Sequence, residues 1–149
     1  LAMGDRTLFA PRWLREKIIA KYPMIFEPAK RKGKKILFIS DGDITDIVED
    51  LVEAGVDGLV FEPMVDLEWM VTHFGDKIML VGNADSRILT DETETACAAE
   101  AQRCGDTAGT CGGYAFLASG GIVHNVPMPN INAYLEAQNG YRCNIKGIV

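Results

Sequence analysis

Four short apolar runs, ILFIS at 36–40, GLVFEP at 58–63, IMLVGNAD at 78–85 and YAFLASGG at 114–121, each end in small or polar residues. Helix-period segments separate them. Strands alternating with helices pair in parallel through right-handed crossovers, so all four C-terminal strand ends must emerge on one rim. That rim is the ligand side of either an open doubly wound sheet or a barrel.

The intervening segments support this alternation. Trp13, Leu14, Ile18, Ile19, Tyr22, Ile25 and Phe26 recur at helical spacing between Pro11 and Ala29. Pro11 suits a first turn, and Pro23 is expected to kink or divide the run. Lys35 to Ser40 reads as a strand covered on both faces. A second helix carries Ile44, Ile47, Val48, Leu51 and Val52 and closes at Gly55, a natural residue for the left-handed turn that ends a helix. Strand Asp57 to Phe61 and a helix with Leu67, Met70, Val71 and Phe74 follow. Strand Lys77 to Val81 comes next, then a helix from Asp91 to Arg103 that reads as solvent-facing. Cys104 to Gly113 reads as irregular, Tyr114 to Ala118 as the last strand, and Asn130 to Asn139 as a closing helix.

A chain of 149 residues that is 48% hydrophobic can fill one core. Its formal charge of −6 argues against a nucleic-acid partner. The cluster Lys30-Arg31-Lys32 with Lys34-Lys35 reads as a solvated connection. No run approaches the length of a membrane span and no signal-peptide pattern opens the chain, so a cytoplasmic location is expected. Cys97, Cys104, Cys111 and Cys143 form no CxxC pair, and free thiols are expected, with Cys97 and Cys104 as buried small residues on one helical face.

The rim residues are the site candidates. Asp41 and Glu62 are the expected catalytic groups, since carboxylates at strand ends accept hydrogen bonds or carry protons. Asp43, by contrast, suits capping of the following helix. Asn83, Asp85, Ser119 and His124 are expected to bind substrate; Arg87 either pairs with Asp85 or grips a substrate carboxylate. Ser119-Gly120-Gly121 offers donors to an anion, yet no GxGxxG or GxxxxGK[ST] phosphate loop occurs. His73 reads as structural. No HExxH or HxC is present, and no metal site is expected.

Three stretches, FISDGDITDIVEDLVEAGVDGLVFEP, FGDKIMLVGNADSRILT and GGYAFLASGGIVHNVPMPNINAYLEA, resemble the uroporphyrinogen decarboxylase superfamily, which includes decarboxylases and cobalamin-dependent methyltransferases. The resemblance implies a (β/α)8 TIM barrel of which residues 1–149 are a single partial domain: the C-terminal half, four parallel βα units preceded by a helix. The whole protein would then be about twice as long, and the start Leu1-Ala2-Met3-Gly4 fits truncation. Half a barrel exposes two strand edges, so the missing N-terminal half or a second copy is the expected partner.

The same comparison implies a departure from the zinc-dependent members. Their HxC falls at Ile39 and Asp41 here, and their later Cys at Gly120 or Gly121. The decarboxylases' GHG becomes Ser119-Gly120-Gly121, and His124 falls a turn too late. Asp41-Gly42, Gly82-Asn83 and Pro127 to Asn130 remain matched. The implied function is a corrinoid-linked methyltransferase or O-demethylase component without the zinc motif, using a small-molecule substrate and a corrinoid carried by a partner protein, with no cofactor bound by this chain itself. Two alternatives stand beside it. One is a decarboxylase-type lyase of porphyrin biosynthesis, whose substrate-binding Arg and Asp would lie on the absent half; the other is a non-catalytic barrel fragment serving as a subunit.

Overall fold

The computed structural model describes residues 1–109 and 111–141; Cys143 lies outside the described residues. A short antiparallel hairpin, β1 (Ala2–Met3) and β2 (Arg6–Thr7), opens the chain, an element with no signal in the apolar pattern. Helix α1 (Pro11–Lys17) follows, then a single 3₁₀ turn (Ile19–Lys21) and α2 (Tyr22–Lys30). The expected division is thus made just ahead of Pro23, which sits in the first turn of α2, where its missing N–H costs nothing.

Strands β3 (Leu37–Ile39), β4 (Gly58–Val60), β5 (Met79–Val81) and β6 (Tyr114–Ala115) form one parallel sheet in chain order. The connections carry a 3₁₀ turn (Thr45–Ile47) with α3 (Val48–Glu53), then α4 (Leu67–Phe74), then α5 (Ser86–Asp91) with α6 (Glu94–Ala108). Helix α7 (Met128–Asn139) closes the described chain. The architecture is a parallel α/β sheet with flanking helices, consistent with part of a (β/α) barrel. Among the described residues no helix is long and apolar enough to cross a membrane.

Register divides the sheet into two unlike faces. Phe38, Leu59, Leu80 and Tyr114 stand in one row and pack toward the helices, where Leu59 and Leu80 are fully buried beside Leu51, Met70, Ile47 and Phe61. Each such side chain contributes roughly 1.5–3 kcal/mol by leaving water. The alternate rows, Leu37–Gly58–Met79 and Ile39–Val60–Val81–Ala115, point the other way. There Leu37 is 55%, Ile39 68% and Met79 44% exposed. Among the described residues only the helix side of 35–40 has a neighbour, so cover for its other face is not supplied by this part of the chain.

Two further expectations give way in α6. The helix starts at Glu94 and runs on through Cys104 to Ala108, so 104–108 is ordered helix rather than irregular connection. Nor does it face solvent all round. Cys97, Ala101, Cys104, Gly105 and Ala108 recur at spacings of three and four and are buried, mainly against α7. Gly105 lets the chain approach there, since a Cβ at that position would come within 2.5 Å of the Tyr141 ring. Cys97, Cys104 and Cys111 are free thiols.

Candidate functional site

Rim chemistry begins at the end of β3. Gly42 has φ 71°, and a Cβ there would lie 2.5 Å from the backbone nitrogen of Met3, so only glycine lets the opening hairpin cross this strand end. The Asp43 N–H donates to the Gly4 carbonyl at 2.8 Å and completes the contact. Asp41 is exposed. Asp43 Oδ1 accepts from the Thr45 N–H at 2.9 Å and its hydroxyl at 2.6 Å, a local turn bond of the kind that starts helices.

Glu62, half-buried at the end of β4, accepts the Gly42 N–H on Oε2 at 2.5 Å. A charged acceptor on a backbone amide makes a short, strong bond. It ties the first two strand ends together and sets the Glu62 carboxylate against the Asp41–Gly42 peptide. Four residues on, Asp66 caps α4 by accepting from the Trp69 N–H at 2.9 Å. His73, at the far end of that helix, stacks near Trp69 and bonds its carbonyl.

Beyond β5 the polar groups are turned inward. Gly82 has φ 138°, and a Cβ there would strike the Phe61 carbonyl oxygen at 2.5 Å. The Tyr114 hydroxyl donates to the Gly82 carbonyl, and burial pushes that phenol's pKa up. Asn83 is only 2% exposed: its Nδ2 donates to the Val65 carbonyl at 2.8 Å, while its Oδ1 accepts from Arg103 Nη2 at 3.2 Å. Both ends of the amide expected to bind substrate are thus engaged by the protein. Asp85 caps α5 through the Arg87 N–H at 2.9 Å and takes the Arg87 guanidinium at 2.6 Å. That guanidinium holds the Asp85 carboxyl below the ordinary carboxylate range despite some burial. Of the two roles open to Arg87, the structure displays pairing with Asp85.

The last strand is shorter than expected, and Ser119 stands in the turn beyond it, just after the isolated parallel bridge of Ala84 with Ala118, its N–H on the Ala84 carbonyl at 2.9 Å. The side chain is 7% exposed and its hydroxyl has no partner among the described residues, an arrangement that costs about 1–3 kcal/mol. His124 lies exposed in the connection before α7. Glu62 and the Asp41–Gly42 turn are therefore brought together, while Asn83, Asp85 and Ser119 are committed to protein partners or buried.

Two polar residues escaped the sequence reading. Glu100 on α6 is 6% exposed, accepts the Asp85 N–H at 2.9 Å on Oε1, and is gripped through both oxygens by Arg103 at 2.7 and 2.8 Å. Their i, i+3 spacing was the available signal, but it also describes an ordinary solvated pair. A cavity of about 420 Å³ is lined by this pair with Asn83, Asp85, Asp66 and Val65. A larger one, about 640 Å³, lies between α6, β6 and α7 and contains no strand-end carboxylate.

The architecture matches known proteins. A family model described as Uroporphyrinogen decarboxylase (URO-D) matches residues 5–141. The chain belongs to the URO-D family. Among solved structures, a methyltransferase from Methanosarcina mazei superposes with a TM-score of 0.73 at 20% sequence identity, covering 93% of this chain and 40% of its own. At that identity the likeness speaks for the shared fold, and this URO-D chain spans well under half the length of the other. A search of curated protein sequences found no match. Zinc of the kind held by HxC members does not fit this rim: Ile39 is apolar and turned onto the open face. Among the described residues no three His, Cys, Asp or Glu side chains gather to hold a metal ion.

Proposed function

We propose that this URO-D-family chain forms part of a barrel enzyme that removes a methyl group from a small methylated substrate and delivers it to a corrinoid carried by a partner protein. The observation that carries the reading is the Glu62 carboxylate set on the Gly42 N–H beside exposed Asp41, at the joined ends of β3 and β4. The fold shared with a methyltransferase from Methanosarcina mazei is compatible with this reaction class. When the corrinoid is present it supplies the methyl acceptor. As the substrate's carbon–oxygen bond breaks and the methyl group passes to the acceptor, Asp41 or Glu62, having first taken a proton from solvent, orients the departing oxygen and hands that proton on, so that the substrate leaves as a neutral hydroxyl compound and the carboxylate is regenerated.

The four strands are, in this reading, the last four of an eight-stranded barrel. Exposed Leu37, Ile39 and Met79 would line its interior, and β3 and β6 would each meet a strand of the other half or of a second copy. Decarboxylation of a polycarboxylated tetrapyrrole is the second reading, favoured by the family's description. Against it stands the rim cation Arg87, already committed to Asp85, because several substrate carboxylates need free cationic donors. Methyl transfer from a methylated phenol to free or protein-borne corrinoid, followed by the corrinoid's absorbance, tests the proposal. Turnover unchanged in both Asp41→Asn and Glu62→Gln would remove these residues from the reaction.

A further inference from the structure

A carboxylate buried as deeply as Glu100 costs several kcal/mol unless it is fully paired, and a packed apolar residue would serve bare stability as well or better. Its pairing here is directional. Oε1 receives both the Asp85 N–H and Arg103 Nη2, Oε2 receives Arg103 Nε, and Arg103 Nη2 reaches on to the Asn83 Oδ1. Asn83 in turn donates to Val65, three residues past Glu62. One chain of hydrogen bonds thus runs from α6 to the turn at 82–85 and on to the loop that follows β4.

We propose that Glu100 and Arg103 are positioning residues: they set the orientation of the 82–85 turn, and with it Asp85, relative to Glu62, without touching substrate themselves. The inference rests on the methyl-transfer reading only for its kinetic consequence. The acceptor on Glu100 Oε1 is the operative atom for the turn, so a glutamine with its carbonyl there keeps the Asp85 N–H bond, while its NH2 faces Arg103 Nε and gives up that arm of the fork. Arg103 holds the second anchor, Asn83, through a fork that a lysine's single ammonium cannot span in the same way.

The test compares E100A, E100Q and R103K by amide hydrogen exchange and by kcat and KM for methyl transfer. In E100A the Asp85 amide exchanges at least about tenfold faster, the loss of a bond to a charged acceptor, while the Leu80 amide in β5 keeps its protection. Misplacement of the turn lowers kcat about 10²-fold with KM little changed. E100Q restores Asp85 protection and recovers part of the lost kcat. If E100Q behaves as E100A does, the charge pair is a stability element and the proposal falls; unchanged Asp85 exchange in E100A overturns it equally. Should E100A fail to fold, R103K decides: a shifted Asn83 side-chain carbonyl resonance, the mark of an Oδ1 that has lost its donor, with Asp85 still protected supports the assignment, and an unchanged resonance overturns it. Exchange results as expected in a protein with no methyl transfer at all sustain the positioning roles and remove the methyltransferase reading instead.

Discussion

The two halves of the rim are built in opposite ways. At the ends of β3 and β4 the carboxylates are lightly held: Asp41 is exposed and Glu62 rests on one backbone amide. At the end of β5 every polar group is spoken for, with Asn83 on Val65 and Arg103, Asp85 on Arg87, and the Asp85 amide on Glu100. The difference teaches where chemistry and where rigidity reside. A group already satisfied by protein partners is poor at taking up a substrate, and a group with spare valence is poor at fixing a loop.

Substitution tests that contrast at its strongest on the lightly held side. Glu62→Gln is expected to lower methyl-transfer kcat by about 10²–10⁴-fold, the usual worth of a general acid or base, while urea unfolding stays close to the parent protein. A large stability loss with normal turnover would reverse the division of labour. On the locked side Gly82→Ala should cost at least about 2 kcal/mol in urea unfolding, because a Cβ at φ 138° meets the Phe61 carbonyl. Asn83→Ala comes next, at about 1–3 kcal/mol, since the Val65 carbonyl and Arg103 lose a buried partner.

The smallest effect concerns pH. Asp85 titrates below its ordinary 3.8 because Arg87 bonds its charged form, so the pair stabilises the fold above that value and is lost as pH falls through the lower folded value. Arg87→Ala should therefore cost only about 0.2–1 kcal/mol at neutral pH, as partly exposed pairs do, and its gap from the parent protein should close below about pH 4. A gap that persists in acid would mean Arg87 acts through packing instead.

Legibility in the sequence followed the same division. The four strands and their parallel pairing were readable because apolar runs alternating with helix-period segments admit few other folds, whereas the chain-order arrangement within the sheet was decided between a barrel and a doubly wound sheet only by the structure. The pairing of Asp85 with Arg87 was readable as a local alternative, since the partners lie two residues apart. Asp43 instead makes a turn bond to Thr45 and is not the expected helix cap, a position that falls to Ile44 with no side-chain bond. Helix α6 was not. Its buried stripe is made of Cys97, Ala101, Cys104, Gly105 and Ala108, residues whose apolar signal is weak but whose small size permits close approach to α7. What covers Leu37 and Ile39 was not legible either, because an apolar run announces that it needs burial without saying which chain segment provides it.

By itself, then, the sequence determined the parallel α/β scaffold and the acidic character of the strand ends, because periodicity and turn chemistry are local properties. Only the tertiary structure decided which of those ends are free. Glu100 lies fifteen residues from Asp85 and Arg103 twenty from Asn83, and whether a side chain is spent on a partner at that separation depends on how helices pack over the sheet.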